Sequence, residues 1–333
     1  MDNQPALPDV PPAAPPPQRD PLAAVFVGPN GLRAGWRFLL FNLLWIIFIS
    51  LIFGAIRAIV HPPKTKIVAL TPLLDITQEL VFLAGFALAL VIILKIERRP
   101  FQFDWLPKQA FLGRNFWIGS IWGFCSLLLL LVMMRGLDDF YFGPLALHGA
   151  AIAKFAVLWA IGFTLVGLFE ESFSRGYGMR VLASGLGFWP AAVITSLIFG
   201  AMHLGNGGEE KLGIASVVAI ALILCFTLWR TGSLWFAVGL HFGWDYAETF
   251  IFGVPDSGFP ATGHLLTPKF QGSHWITGGT VGPEGSVLVF VVYALLALAF
   301  HFAYPERKLV LDFSTGRTNP KPELPEGSAI PAA

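Results

Sequence analysis

Apolar stretches long enough to cross a ~30 Å hydrocarbon layer as helices recur through this chain, and they limit its fold more than any other feature. They fall at 36–60, 80–94, 116–134, 155–169, 189–202, 212–229, 234–252 and 286–304. The expected architecture is therefore all-α: a polytopic integral membrane helical bundle of about eight transmembrane helices. Composition agrees, since 333 residues that are 55% hydrophobic and 13% charged are too apolar for one soluble domain. Several stretches are short, and their helices should run further, because polar residues hide the continuation of an apolar helix from hydropathy.

Residues 1–30, with Pro11, Pro12, Pro15, Pro16 and Pro17, cannot bury a core and read as a disordered tail. Residues 307–333 read as a second tail, leaving 31–306 as the transmembrane domain. The start of the chain lacks the basic-then-apolar pattern of a cleavable signal, so the first span is expected to be retained. When Lys and Arg are assigned to alternate sides, 15 of the 22 share the side of the N-terminus, and the positive-inside rule puts both termini in the cytoplasm. The longest connection, 253–285, would lie outside, and nothing in it reads as a site. The 22 basic residues are balanced by 21 acidic ones and are not gathered into one face, which argues against nucleic acid as a partner. Cys125 and Cys225 sit inside apolar runs, where a thiol behaves as a small hydrophobe, so neither a disulfide framework nor a Cys zinc site is indicated.

Against this background the ionisable residues inside the apolar runs stand out, because charge at membrane depth is costly and marks function by default. Glu170 and Glu171 end the run at 155–169, with Arg175 four residues on; His203 ends another run; His241 and Asp245 lie inside a third. If the fourth helix continues to about Leu182, a turn at 185–187 makes an antiparallel hairpin with the next helix, and Glu170 and His203 lie equally far from that turn. Ser233 is expected to cap the seventh helix, which places His241 roughly 12 Å along it. All three pieces can then meet within the membrane.

Spacing separates the roles of the two glutamates. Glu171 and Arg175 are i,i+4 neighbours, whereas Glu170 points about 100° away around the helix axis. An Arg partner favours an ionised, structural Glu171 and leaves Glu170 the freer carboxylate. A buried glutamate beside a histidine suits a general base for water. His241 and Asp245, also i,i+4, could position a carbonyl or stabilise an oxyanion, although an Asp there needs a proton or a cation partner to help an anion.

In this order the residues resemble a known family. Glu170-Glu171-Ser-Phe-Ser-Arg175 matches EExxxR, Phe199-Gly-Ala-Met-His203 matches FxxxH, and His241-Phe-Gly-Trp-Asp245 matches HxxxN/D. These are the motifs of the CPBP family, which comprises the CAAX prenyl endopeptidases of the Ras-converting type and the bacterial Abi, bacteriocin-processing relatives. The resemblance covers about 150–250. It implies an all-helical intramembrane protease in a bacterial inner membrane, with a peptide or lipidated protein as substrate. By that likeness Glu170 and His203 activate the water, and His241 and Asp245 line the oxyanion site. Asp245 stands where the prenyl endopeptidases tend to have Asn.

Metal involvement stays open at this level. Glu170, His203 and His241 are adequate Zn2+ ligands with a fourth position left for water, but H-E-x-x-H is absent and a metal-free glutamate mechanism uses the same residues. Serine and aspartyl intramembrane chemistry drop out, because neither G-x-S-G nor G-x-G-D occurs. The competing function is a non-catalytic immunity or scaffold protein, or a transporter using the same buried charges, although no internal repeat of the transporter kind is visible.

Overall fold

The structure is a computed structural model in which residues 21–28, 31–61, 69–98, 105–206 and 210–309 are described. Most of the two expected tails lies outside the described residues. Of the first tail, Pro21–Phe26 is a short helix, α1, followed by β1 (Val27–Gly28), which pairs antiparallel with β2 (Gly31–Leu32).

The expected all-α bundle is present. Its helices are α2 (Ala34–Val60), α3 (Pro72–Ile96), α4 (Arg114–Gly136), α5 (Ala150–Glu171), α6 (Gly178–Leu186), α7 (Phe188–His203), α8 (Lys211–Thr231), α9 (Leu234–Asp245), α10 (His274–Thr277) and α11 (Leu288–Ala303). Local chemistry sets their ends: Thr71 Oγ1 accepts from the Leu74 amide at 3.3 Å ahead of Pro72 at the start of α3, and Gly232, at φ 67°, closes α8. Five of the described helical stretches are long and apolar enough to cross a membrane, counting 150–186 as one. α7 and α11, at 16 residues each, reach only about 24 Å. α9 is extended by a π-helical stretch, Tyr246–Ile251. Side chains such as Leu43, Leu51 and Ile59 on α2 are exposed, an apolar outer surface that suits lipid and not water.

Three packing features position the polar residues. First, the chain runs from α5 through a π-helical stretch, Ser172–Tyr177, into α6, and Gly187 at φ 85° reverses it into α7, at the expected turn. Tyr177 anchors that stretch by donating to Glu97 Oε1 at 2.5 Å, and Arg37 Nη2 donates to Glu97 Oε2 at 2.9 Å. Second, α4 and α9 cross with almost no side chain between them. A Cβ on Gly119 or Gly123 would run into the carbonyl of Phe236 or Leu240, and one on Gly239 or Gly243 into that of Phe116 or Ser120. Gly at i and i+4 on both helices permits this approach, as in small-residue packing of membrane helices.

Third, the 253–285 connection folds back over the bundle. Leu70 N donates to Pro260 O at 2.8 Å, Thr262 N donates to Leu70 O at 2.9 Å, and β3 (Phe140–Tyr141) pairs antiparallel with β4 (Lys269–Phe270).

Candidate active site

Glu170, His203, His241 and Asp245 all line one cavity of about 290 Å3, with Phe82, Phe163 and Phe169 among its apolar walls. Arg175 and Glu171 lie behind it, fully buried.

The two glutamates divide as their spacing predicts. Arg175 Nη1 donates to Glu171 Oε1 at 2.7 Å, and Arg175 Nη2 donates to the Ala221 carbonyl at 3.1 Å. The π-helical stretch carries Arg175 beneath Glu171, and such stretches inside α-helices often mark functional sites. Glu170, with its side chain 20% exposed, remains on the cavity side.

His241 is the hub. Its Nδ1 lies 2.9 Å from Glu171 Oε1, and its Nε2 lies 3.3 Å from Asp245 Oδ2 and 3.5 Å from Glu170 Oε2. A carboxylate only accepts, so Nδ1 donates to Glu171, and Nε2, turned to the cavity and facing Asp245 and Glu170, carries a proton as well. The GxxxG packing of α4 on α9 fixes this placement, because His241 sits between Gly239 and Gly243. Ser233 precedes α9 as expected, but its side chain makes no capping bond; its amide instead donates to Thr231 Oγ1 at 3.2 Å.

His203 shares the cavity but faces differently. Its Nδ1 lies 2.9 Å from the Phe199 carbonyl on its own helix. A carbonyl also only accepts, so Nδ1 is the donor and Nε2 of the neutral ring is left as a base. Phe199 packs between the two histidines, 4.8 Å from the His203 ring and 6.5 Å from that of His241. Of the zinc set, Glu170 Oε2 and His241 Nε2 are 3.5 Å apart and His203 lines the same cavity, without all three donor atoms falling within 4.8 Å of one another. Among the described residues, the group whose donor atoms all lie within 4.8 Å of one another is Asp245, Glu248 and Asp256.

Four further acidic residues contribute that sequence reasoning missed. Asp75 and Glu79, one turn apart on α3, line the cavity; Asp75 Oδ2 and Glu79 Oε2 are buried without hydrogen-bond partners, and Gly162 on α5 leaves the room into which Asp75 fits. Their i,i+4 spacing inside an apolar helix was the signal that could have found them. Asp256 and Glu284 come from the connection that was expected to hold no site, an expectation the fold corrects. Asn206 Nδ2 donates to the Ser257 carbonyl at 3.0 Å and pins the loop beside His203. Burial, followed by the charge of Glu284, pushes the Asp256 carboxyl up to about 8.

Residues 152–247 match the family model described as Type II CAAX prenyl endopeptidase Rce1-like. No curated protein and no solved structure matches the chain. The matched segment includes Glu170, Glu171, Arg175, His203, His241 and Asp245, whereas Asp75, Glu79, Glu248, Asp256 and Glu284 lie outside it.

Proposed function

From an integral membrane chain that carries an Rce1-like domain over residues 152–247, we propose an intramembrane endopeptidase in which Glu170 activates water. The observation that carries this reading is the gathering of Glu170, His203, His241 and Asp245 on one cavity, while Arg175 is spent on Glu171.

In this reading water enters between Glu170 and His203. The carboxylate of Glu170 takes its proton as the oxygen attacks a peptide carbonyl, and Nε2 of His203, left basic by the Phe199 hydrogen bond, holds the same water. His241, protonated at both nitrogens between Glu171 and Asp245, donates from its Nε2–H to the carbonyl oxygen as negative charge develops there. The leaving amine receives the proton from Glu170. The aromatic walls suit a membrane-associated peptide, either a prenylated CAAX-type tail or an apolar leader segment. We place both termini in the cytoplasm of a bacterial inner membrane, with 31–306 as one transmembrane domain, which reporter fusions at each terminus would check.

The deciding experiment compares wild type and Glu170→Gln for cleavage of membrane-anchored peptides in reconstituted bilayers at matched amounts. A fall in kcat of ~10²–10⁴-fold with the fold intact is expected. Unchanged cleavage would remove the mechanism. A wild type that cleaves nothing, with a cellular phenotype that survives the substitution, would favour the non-catalytic membrane role.

A further inference from the structure

Where α9 meets the folded-back connection lies a group of carboxyls that the proposed reaction, Asp245 apart, leaves idle. Asp245 and Glu248 are three residues apart along α9 and its π-helical extension, and Asp256 reaches them from the folded-back connection. One donor oxygen of each lies within 4.8 Å of the other two. Glu284 adjoins the group, its Oε2 accepting from Ser257 N at 3.2 Å and from Ser257 Oγ at 2.8 Å. Thr249 Oγ1 donates to Asp256 Oδ2 at 3.1 Å, and His241 touches Asp245. Among the described residues, no Lys or Arg pairs with any of the four.

Acidic residues in company are not by themselves a site, but a fully buried carboxylate oxygen here has no partner. Glu248 is fully buried; its Oε2 accepts from Trp244 Nε1 at 2.9 Å, whereas Oε1 has no hydrogen bond. Tyr293 on α11 is 3% exposed, and its ring lies 5.7 Å from that of Trp244. Its hydroxyl lies beside Ser216 and in the field of Glu284, Glu248 and Asp245. Buried polar atoms are ordinarily satisfied by protein, water or an ion, and buried anions by a cation.

We infer that Asp245, Glu248 and Asp256 bind one divalent cation of calcium size. The all-oxygen donor set favours calcium, magnesium or manganese over softer metals. Donor oxygens no more than 4.8 Å apart can share one ion at about 2.3–2.6 Å, the contact distance of calcium, which tolerates irregular carboxylate geometry where magnesium demands a near-ideal octahedron. Asp245, Asp256 and Glu284 line the cavity, which gives the ion its entry path. If the proposed peptidase reading holds, the ion also offsets the charge of Asp245 where an oxyanion forms.

Binding is tested without any substrate, so failure of the peptidase reading leaves the result unaffected. Full-length protein in detergent is titrated with Tb3+, a luminescent stand-in for calcium, with Trp244 as the antenna beside Glu248. Saturable emission from one site is expected, displaced by Ca2+ more readily than by Mg2+ and weakened at least ~10-fold in Glu248→Gln and Asp256→Asn. Emission that does not saturate, or that is equal in wild type and both variants, overturns the inference. If the variants do not fold, wild-type protein equilibrated with Ca2+ and desalted must retain about one ion per chain and melt at a higher temperature than after chelation. Absence of both effects is equally fatal.

Discussion

Nδ1 of His241 reaches Oε1 of Glu171 at 2.9 Å, so the histidine of α9 is oriented by a glutamate of α5. The same oxygen accepts from Arg175 Nη1 at 2.7 Å. Arg175, Glu171 and His241 thus form one hydrogen-bonded relay running from a fully buried guanidinium to the cavity. Its physical role is to fix a ring that has three carboxylates within 3.5 Å. Without the Glu171 bond the ring could turn between them; with it, Nε2 is directed to Glu170 and Asp245.

Glu171→Gln should therefore harm the fold where Glu170→Gln does not. It leaves the guanidinium of Arg175 buried without its counter-charge, a loss of about 3–5 kcal/mol. Arg175→Lys should also destabilise, because an ammonium cannot reproduce the two-pronged bond to Glu171 and Ala221. Thermal unfolding in one detergent ranks the variants. Equal midpoints for Glu170→Gln and Glu171→Gln would contradict the division of roles.

The close crossing of α4 and α9 gives a second expectation. Gly123→Ala or Gly239→Ala puts a methyl group into the backbone of the facing helix and should cost about 1–3 kcal/mol or more, since overpacking forces the helices apart. His241 lies between the α9 glycines, so cleavage should fall along with stability. Gly54→Ala on α2, where the added Cβ meets nothing within 4 Å, is the control and should stabilise slightly. A midpoint that falls for Gly54→Ala but not for Gly123→Ala would refute this account of the crossing.

The helices, the hairpin turn and the Glu171–Arg175 pair were legible in the sequence because each depends on short-range spacing: an apolar run, a Gly between runs, an i,i+4 pair. The glycine pairs at 119/123 and 239/243 carried the same kind of signal, a four-residue interval inside an apolar helix, and it was not used. What could not be read was long-range. Asp256 and Glu284 join the cavity only because the connection is hydrogen-bonded back to Leu70, and no local pattern encodes that pairing. The direction of the His203 ring was likewise hidden, because it is set by a backbone carbonyl one helical turn away.

Asp75 offers a test of cavity electrostatics. Its carboxyl is buried, Oδ2 has no hydrogen-bond partner, and Glu170 and Glu79 are nearby acids. Asp75→Asn keeps the shape while removing an uncompensated acid, and should raise stability by about 1 kcal/mol. Chemical denaturation at neutral pH would measure it. A fall in stability would mean that the carboxylate has a favourable partner in the folded protein.

Asp245→Asn separates the charge of this residue from its position. Asp245 Oδ2 is 3.3 Å from His241 Nε2, on the side assigned to the developing oxyanion. A carboxylate there repels that charge unless a proton or cation offsets it, whereas an amide of the same shape donates a hydrogen bond. The variant should retain cleavage within about tenfold of wild type, because the new amide donor offsets the weaker hold on the His241 ring. It should also respond less than wild type to chelators and added Ca2+, since the amide needs no counter-ion. Kinetics in bilayers with and without chelator would show this. A loss of kcat as deep as that of Glu170→Gln would instead assign Asp245 to proton transfer, and an unaltered response to Ca2+ would place the ion's effect elsewhere.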